Sequence, residues 1–149
     1  MTAIRPALAG DLPAIHELLQ EASLTTVGVE RHLPSFLVAE ADQRLLAVAG
    51  LEIHGSVALI RSIAVREELR RTGLGRRLFT ALVAHARARD VQTCYLLTET
   101  APGFFKKLGF DVITRDDAPD EIRRTDEFSS LCSPSAILLK LSIGDNEIE

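Results

Sequence analysis

Val57-Ala58-Leu59-Ile60-Arg61-Ser62-Ile63-Ala64-Val65, then Arg66-Glu67-Glu68-Leu69, then Arg70-Arg71-Thr72-Gly73-Leu74-Gly75-Arg76-Arg77, decides how this chain is read. The first nine residues are aliphatic and β-branched with Arg61 as the one charge, the composition of a strand covered on both faces. After Gly75, apolar residues recur at Leu74, Leu78 and Leu82 and at Phe79, Val83 and Ala86, the spacing of one helical face. The stretch therefore predicts a strand, a tight glycine turn and a helix over 74–89. A helix start leaves N–H groups without partners and carries partial positive charge, so it welcomes an anion. Gly73 and Gly75 let that anion approach the backbone, and Arg70, Arg71, Arg76 and Arg77 add four cations. A pyrophosphate cradle is one reading; a glycine turn capping a surface helix with solvated arginines is the other. The turn lacks the Gly-Lys-Ser/Thr ending of a triphosphate loop and the first Gly of the dinucleotide fingerprint.

Working outward, 149 residues at 46% hydrophobic content predict one domain over 1–149 with a real core. A net charge of −4 offers no general attraction for nucleic acid or an anionic membrane, so the arginine cluster is local. Cys94 and Cys132 lack the spacing of a disulfide scaffold or a zinc site, so no metal is expected and a reducing compartment is the default. Met1 to Gly10 holds no apolar core of signal-peptide length and no run approaches the length of a membrane span, which predicts a cytoplasmic protein.

Towards the N-terminus, Thr2 to Arg5 reads as a strand ended by Pro6. Asp11 then caps a helix with Pro13 in its first turn and Ile15, Leu18 and Leu19 on its apolar stripe. A short helix over 27–33 precedes a strand at 36–39, a hairpin turn at 41–44 and a long apolar strand at 45–53. His54-Gly55-Ser56 turns into the central strand. Towards the C-terminus, Thr93 to Thr98 is reached through a helix and should run parallel to the central strand. A short helix over 101–108 is capped by Gly109, a strand follows at 110–114, and Pro119 opens a short helix. Residues 129–135 form a loop and 136–141 the last strand.

Ile63-Ala64-Val65, four residues and then Arg70-x-x-Gly73-x-Gly75 resemble the acetyl-coenzyme A motif of the GNAT superfamily of N-acyltransferases. Lys107-Leu108-Gly109-Phe110 resembles the end of that family's late short helix. The resemblance covers nearly the whole chain. It implies a mixed, mostly antiparallel α/β (α+β) sheet of six to seven strands, helices on both faces, and a splayed parallel pair in the middle. It implies acetyl-CoA as co-substrate, bound through Ile63, Ala64, Val65, Arg70, Arg71, Thr72, Gly73, Leu74, Gly75 and Arg76, with the pantetheine arm lying in the splay. The region from Ser23 to Pro34 would close over a small-molecule amine acceptor, and homodimers are frequent in the superfamily. The family often has Gly where this chain has Arg71.

Two family features are missing. The Tyr that reprotonates the thiolate in many members is matched by Phe105, and the Glu early on the central strand is matched by Leu59. Substitutes for the acid and base are Glu52, Glu99 and Cys132, with His54 and Ser130 as further polar residues near the acceptor; each also has an ordinary structural reading. Arg61 is a cation in an apolar strand, sharing parity with Leu59, Ile63 and Val65. An unpaired buried guanidinium is costly, so an anion must meet it. That anion is either an internal carboxylate, Glu52 or Glu99, or a carboxylate of the substrate. Arg61-Ser62-Ile63-Ala64-Val65 with Leu96-Leu97-Thr98, Phe104-Phe105 and the segment 119–124 resembles the acetyltransferase domain of short N-acetylglutamate synthases. Phe128-Ser129-Ser130-Leu131-Cys132 is more similar to N-acetyltransferases associated with arsenic resistance. Both imply an anionic amino acid or a glutamate-like toxin as acceptor. A non-catalytic acyl-CoA sensor is the competing class.

Overall fold

The computed structural model describes residues 2–99, 102–131 and 135–144. Seven strands pair in the order β1-β2-β3-β4-β5-β7-β6: β1 Ala3–Pro6, β2 Phe36–Ala41, β3 Arg44–His54, β4 Val57–Val65, β5 Thr93–Thr98, β6 Asp111–Ile113 and β7 Ile137–Ser142. Helices are α1 Leu12–Glu21, α2 Val29–His32, α3 Leu74–Ala88, α4 Pro102–Lys107 and α5 Asp120–Arg123. The sheet is mixed: β1, β2 and β3 pair antiparallel, as do β5, β7 and β6, and β4 pairs parallel with β5. The expected mixed fold is therefore observed. By contacts the chain divides into two compact units, Met1–Glu52 with Ile60–Ala86, and Ile53–Leu59 with Arg87–Glu149.

In the first unit the hairpin between β2 and β3 turns at Asp42 and Gln43, both left-handed (φ 51° and 63°), the two-residue turn whose twist matches paired strands. The Phe36 ring lies over Gly50, its cross-strand partner, and a Cβ there would come within 2.5 Å of ring atoms. That packing is why an otherwise apolar strand carries a glycine. Ile15, Leu18 and Leu19 of α1 join Val29, Leu33, Phe36, Val38, Val48 and Ala64 in one buried cluster. The next residue along, Val65, sits 3.7 Å from the Cβ position of Gly75 at the start of α3. Successive residues of a strand face opposite ways, so α1 and α3 cover opposite faces of this part of the sheet.

In the second unit the parallel register runs Val57↔Thr93, Ala58↔Cys94 and Leu59↔Tyr95. Leu59, Tyr95, Ala118, Ile122 and Leu138 form its core cluster. Desolvation, and then the charge of Glu121, push the Tyr95 phenol upward, so this tyrosine stays protonated. Burial likewise pushes the Cys94 thiol up to about 12, leaving it inert. Gly109, at φ 105°, ends α4 as the left-handed cap expected of it.

Several expected boundaries move. Asp11 does not cap α1: its carboxylate accepts from the Leu8 N–H (2.7 Å) and from both terminal nitrogens of Arg5 (2.8 and 3.0 Å), closing the preceding 3-10 turn. The expected helix over 27–33 is shorter, because left-handed Gly28 delays its start to Val29 and a 3-10 turn at Leu33–Ser35 follows it. The expected loop at 129–135 begins instead as a π-helical turn, Glu127–Leu131. The Arg5 hydrogen bonds, then the Leu8 N–H, hold the Asp11 carboxyl below the usual carboxylate range. A depressed carboxylate stabilises the fold above its unfolded pKa and loses that contribution as pH falls through the folded one. Wild type and Asp11→Asn are therefore expected to differ in urea midpoint at pH 6, with the gap shrinking from about pH 4 downward.

Candidate functional site

The turn after β4 is built as an anion cradle. Arg70 Nε donates to the Val65 carbonyl at 3.1 Å and Thr72 Oγ1 to the Leu69 carbonyl at 2.5 Å, tying the turn to the strand it leaves. The first helical bond of α3 runs from the Arg77 N–H to the Gly73 carbonyl, 3.1 Å. The N–H groups of Leu74, Gly75 and Arg76 precede it and have no partner within the helix. Gly73 is left-handed at φ 91°, and a Cβ built on it meets no atom within 4 Å. The outer side of the turn is thus open where the N–H groups emerge. Arg70, Arg71, Arg76 and Arg77 are exposed around it, and the first turn of α3 holds no acidic residue. A pyrophosphate fits this donor set: backbone N–H groups at a helix start, surrounded by cations.

Arg71 is left-handed as well, at φ 69°. For a residue with a Cβ that conformation costs roughly 1–2 kcal/mol, which gives the family's frequent Gly at this position a backbone reason. Arg71→Gly is expected to melt no lower than wild type and to bind acetyl-CoA within a few-fold, by thermal shift and calorimetry. A melting point several degrees lower would count against the strain.

Arg61 is met from inside the chain. It is 3% exposed; Nη1 donates to Glu52 Oε2 at 2.6 Å, Nη2 to the Val27 carbonyl at 2.5 Å and Nε to Ser62 Oγ at 2.9 Å. Of the two partners the sequence left open, the structure supplies Glu52. The other carboxylate oxygen of Glu52 lies 3.7 Å from His32 Nε2. The expected parity of Arg61 with Ile63 and Val65 does not hold, because Ser62 is left-handed (φ 59°) in mid-strand. Arg61 reaches Val27 and Ala64 packs with Val29 and Leu33, so residues three apart serve one face. The left-handed Ser62 lies between them.

The other expected residues lie elsewhere. His54 ends β3 and is half-buried, and Glu99 follows β5 exposed. Ser130 falls in the π-helical turn, but its side chain lies outside the described residues, as does Cys132. Phe105 is buried edge-on between the rings of Phe104 and Phe110 (centroids 5.1 and 5.7 Å), with no proton to give. Leu59 is fully buried. Sequence reasoning missed Gly28, His32 and Val27. Only Gly28 left a trace, a glycine just before the short helix Val29–His32.

The sequence pattern of the acetyltransferase (GNAT) family matches residues 4–110. The chain belongs to this family. The chain is thus an N-acetyltransferase, and acetyl-CoA is the family's co-substrate. An uncharacterized N-acetyltransferase of Chlorobaculum tepidum is 30% identical over 131 residues, 83% of this chain and 84% of that one. An amino-acid acetyltransferase of Ralstonia nicotianae is 30% identical over 130 residues, but these cover 81% of this chain and only 29% of that protein. Among solved structures, N-acetylglutamate synthase of Neisseria gonorrhoeae, complexed with coenzyme A and N-acetyl-glutamate, superposes with a TM-score of 0.85. It is 21% identical, over 97% of this chain and 36% of that one. The ribosomal-protein-S18-alanine N-acetyltransferase of Escherichia coli reaches 0.73 at 22% identity, over 98% and 96%. Enzymes named for different acceptors share this fold, so the fold alone does not choose one. Among the described residues no helix is long and apolar enough to cross a membrane.

Proposed function

We propose that this acetyltransferase acts on the α-amine of a small amino acid bearing an additional anionic group: glutamate, or a glutamate-like toxin with an arsenic or phosphorus oxyanion in place of the side-chain carboxylate. The supporting observation is the similarity to amino-acid acetyltransferases across four-fifths of the chain. In this reading the N–H groups of Leu74, Gly75 and Arg76 bind the pyrophosphate while Arg70, Arg71, Arg76 and Arg77 neutralise it. The backbone of Ile63, Ala64 and Val65 pairs with the pantetheine amides as with an added strand. Acetyl-CoA supplies the activated acetyl thioester. The acceptor loses its ammonium proton, its amine attacks the thioester carbonyl, and the leaving thiolate is reprotonated. Phe105 leaves no acid at the family position, so water carries protons, and positioning supplies most of the rate.

Free-thiol release from acetyl-CoA across glutamate, aspartate, phosphinic and arsinic analogues of glutamate, polyamines and a peptide mixture tests this. Release with one anionic amino acid is the expected result, with Glu99→Gln and Cys132→Ala each keeping most of that rate. Release with polyamines or peptides alone would replace the acceptor class. Collapse of either variant would name the acid that water was assumed to replace.

A further inference from the structure

We propose that Arg61 is a positioning residue: with Glu52 as its counter-ion, it clamps the backbone of Val27 and Gly28, and His32 beside them, against β4 at the left-handed Ser62, where the acetyl group arrives. The place of arrival rests on the function proposed above. The pyrophosphate turn begins beside Val65, and four strand residues back to Arg61 span about 13 Å. A pantetheine arm pairing along Val65, Ala64 and Ile63 is therefore aimed at Ser62 and Arg61.

Three observations point to a clamp. First, Arg61 donates hydrogen bonds to separate parts of the chain, among them β3 through Glu52, its own strand through Ser62 Oγ, and the segment before α2 through the Val27 carbonyl. Second, that segment is held by short-range turn hydrogen bonds, Leu24 N–H to the Leu19 carbonyl (2.8 Å), Val27 N–H to Thr25 Oγ1 (3.1 Å) and Val29 N–H to the Thr26 carbonyl (3.3 Å), and not by apolar packing. From Ser23 to Gly28 no residue is buried, and Val27 is 48% exposed, so apolar burial does not fix it until Val29 enters the core. Third, the clamp specifies its own glycine. Gly28 is left-handed at φ 83°, and a Cβ there would lie 3.0 Å from Arg61 Nη1, 3.9 Å from His32 Cδ2 and 4.0 Å from Glu52 Oε2. A Cβ at position 28 would press on the guanidinium and stand in ordinary contact with the imidazole and the carboxylate.

A buried ion pair is weak as a source of net stability but fixes geometry, because its charges tolerate only well-aligned partners. The left-handed Ser62 fits such a role, since strained backbone persists where its surroundings over-determine it. An acceptor approaching the acetyl carbonyl beside Ser62 meets a segment whose position Arg61 sets. Arg61 acts on acceptor binding through Val27, Gly28 and His32, without itself holding the acceptor carboxylate.

Arg61→Lys keeps the charge but cannot reach three partners, and Gly28→Ala adds one methyl; both are mild enough to fold. Amide hydrogen exchange of the free protein is read first. Both variants should exchange at least tenfold faster over Ser23–His32 with α3 unchanged; unchanged exchange over Ser23–His32, or equal acceleration throughout, would overturn the clamp. With the acceptor from the amine panel, both should raise the acceptor KM at least fivefold while the acetyl-CoA Kd stays within twofold. An unmoved acceptor KM, or an equal loss of acetyl-CoA affinity, would overturn the positioning role. If wild type turns over no amine in the panel, the amino-acid reading falls, and the exchange experiment still decides whether Arg61 holds the segment.

Discussion

Glu52→Ala is expected to lower the unfolding free energy by roughly 3–5 kcal/mol, the cost of leaving one member of a buried ion pair without its partner. The side chains of Arg61 and Glu52 are 1% and 7% exposed and meet at 2.6 Å, so water cannot readily replace the lost carboxylate. For a domain of this size that loss corresponds to a melting temperature lower by roughly 6–20 °C, a large share of a typical stability of about 5–15 kcal/mol. Glu52→Gln keeps an acceptor oxygen for Nη1 and should cost less. The double variant Glu52→Leu with Arg61→Met, which removes both charges and keeps apolar volume, should recover much of the loss. Urea unfolding of the four proteins measures this. A Glu52→Ala variant within 1 kcal/mol of wild type would mean that the guanidinium finds another partner or reaches water.

Gly73→Val is expected to weaken acetyl-CoA binding at least tenfold, a loss of about 1.4 kcal/mol or more. Space is not the reason, because a Cβ at this position meets nothing within 4 Å. The backbone is: φ 91° is open to glycine and closed to a β-branched residue, so the turn must rotate, and the N–H groups of Leu74 to Arg76 lose their common aim. The added methyl groups would also stand where the anion approaches. Gly75→Ala is the control, since its Cβ would make an ordinary 3.7 Å contact with Val65, and it should bind nearly as wild type does. Calorimetric titration with acetyl-CoA separates the two, and equal affinities for Gly73→Val and wild type would remove the turn from the cofactor site.

The central strand 57–65, the glycine turn and the start of α3 were legible in the sequence because each is specified locally. An aliphatic, β-branched run, a Gly-x-Gly turn and a four-residue apolar repeat need no distant partner to be recognised. The strand 93–98 was legible for the same reason, and its parallel pairing followed from the helix that must intervene. Boundaries were lost where a single residue departs from the local pattern. Gly28 postpones α2, and Asp11 turns from α1 towards the Leu8 N–H and Arg5.

The sequence by itself determined the class of the protein: a mixed α/β acetyltransferase with a glycine turn at Gly73 leading from the central strand into a helix, and Arg61 as a buried cation that must be neutralised. Tertiary structure alone decided what neutralises it. Glu52, nine residues earlier, and the Val27 carbonyl, thirty-four residues earlier, meet Arg61 only once β3, β4 and the segment before α2 are assembled. The left-handed Ser62 behaves likewise. Nothing in Arg61-Ser62-Ile63 announces a left-handed residue, since serine has no intrinsic need for positive φ. Turn and helix signals are short-range and survive in one dimension. The partner of a buried charge depends on which distant backbone groups converge on it, and that is known only after folding.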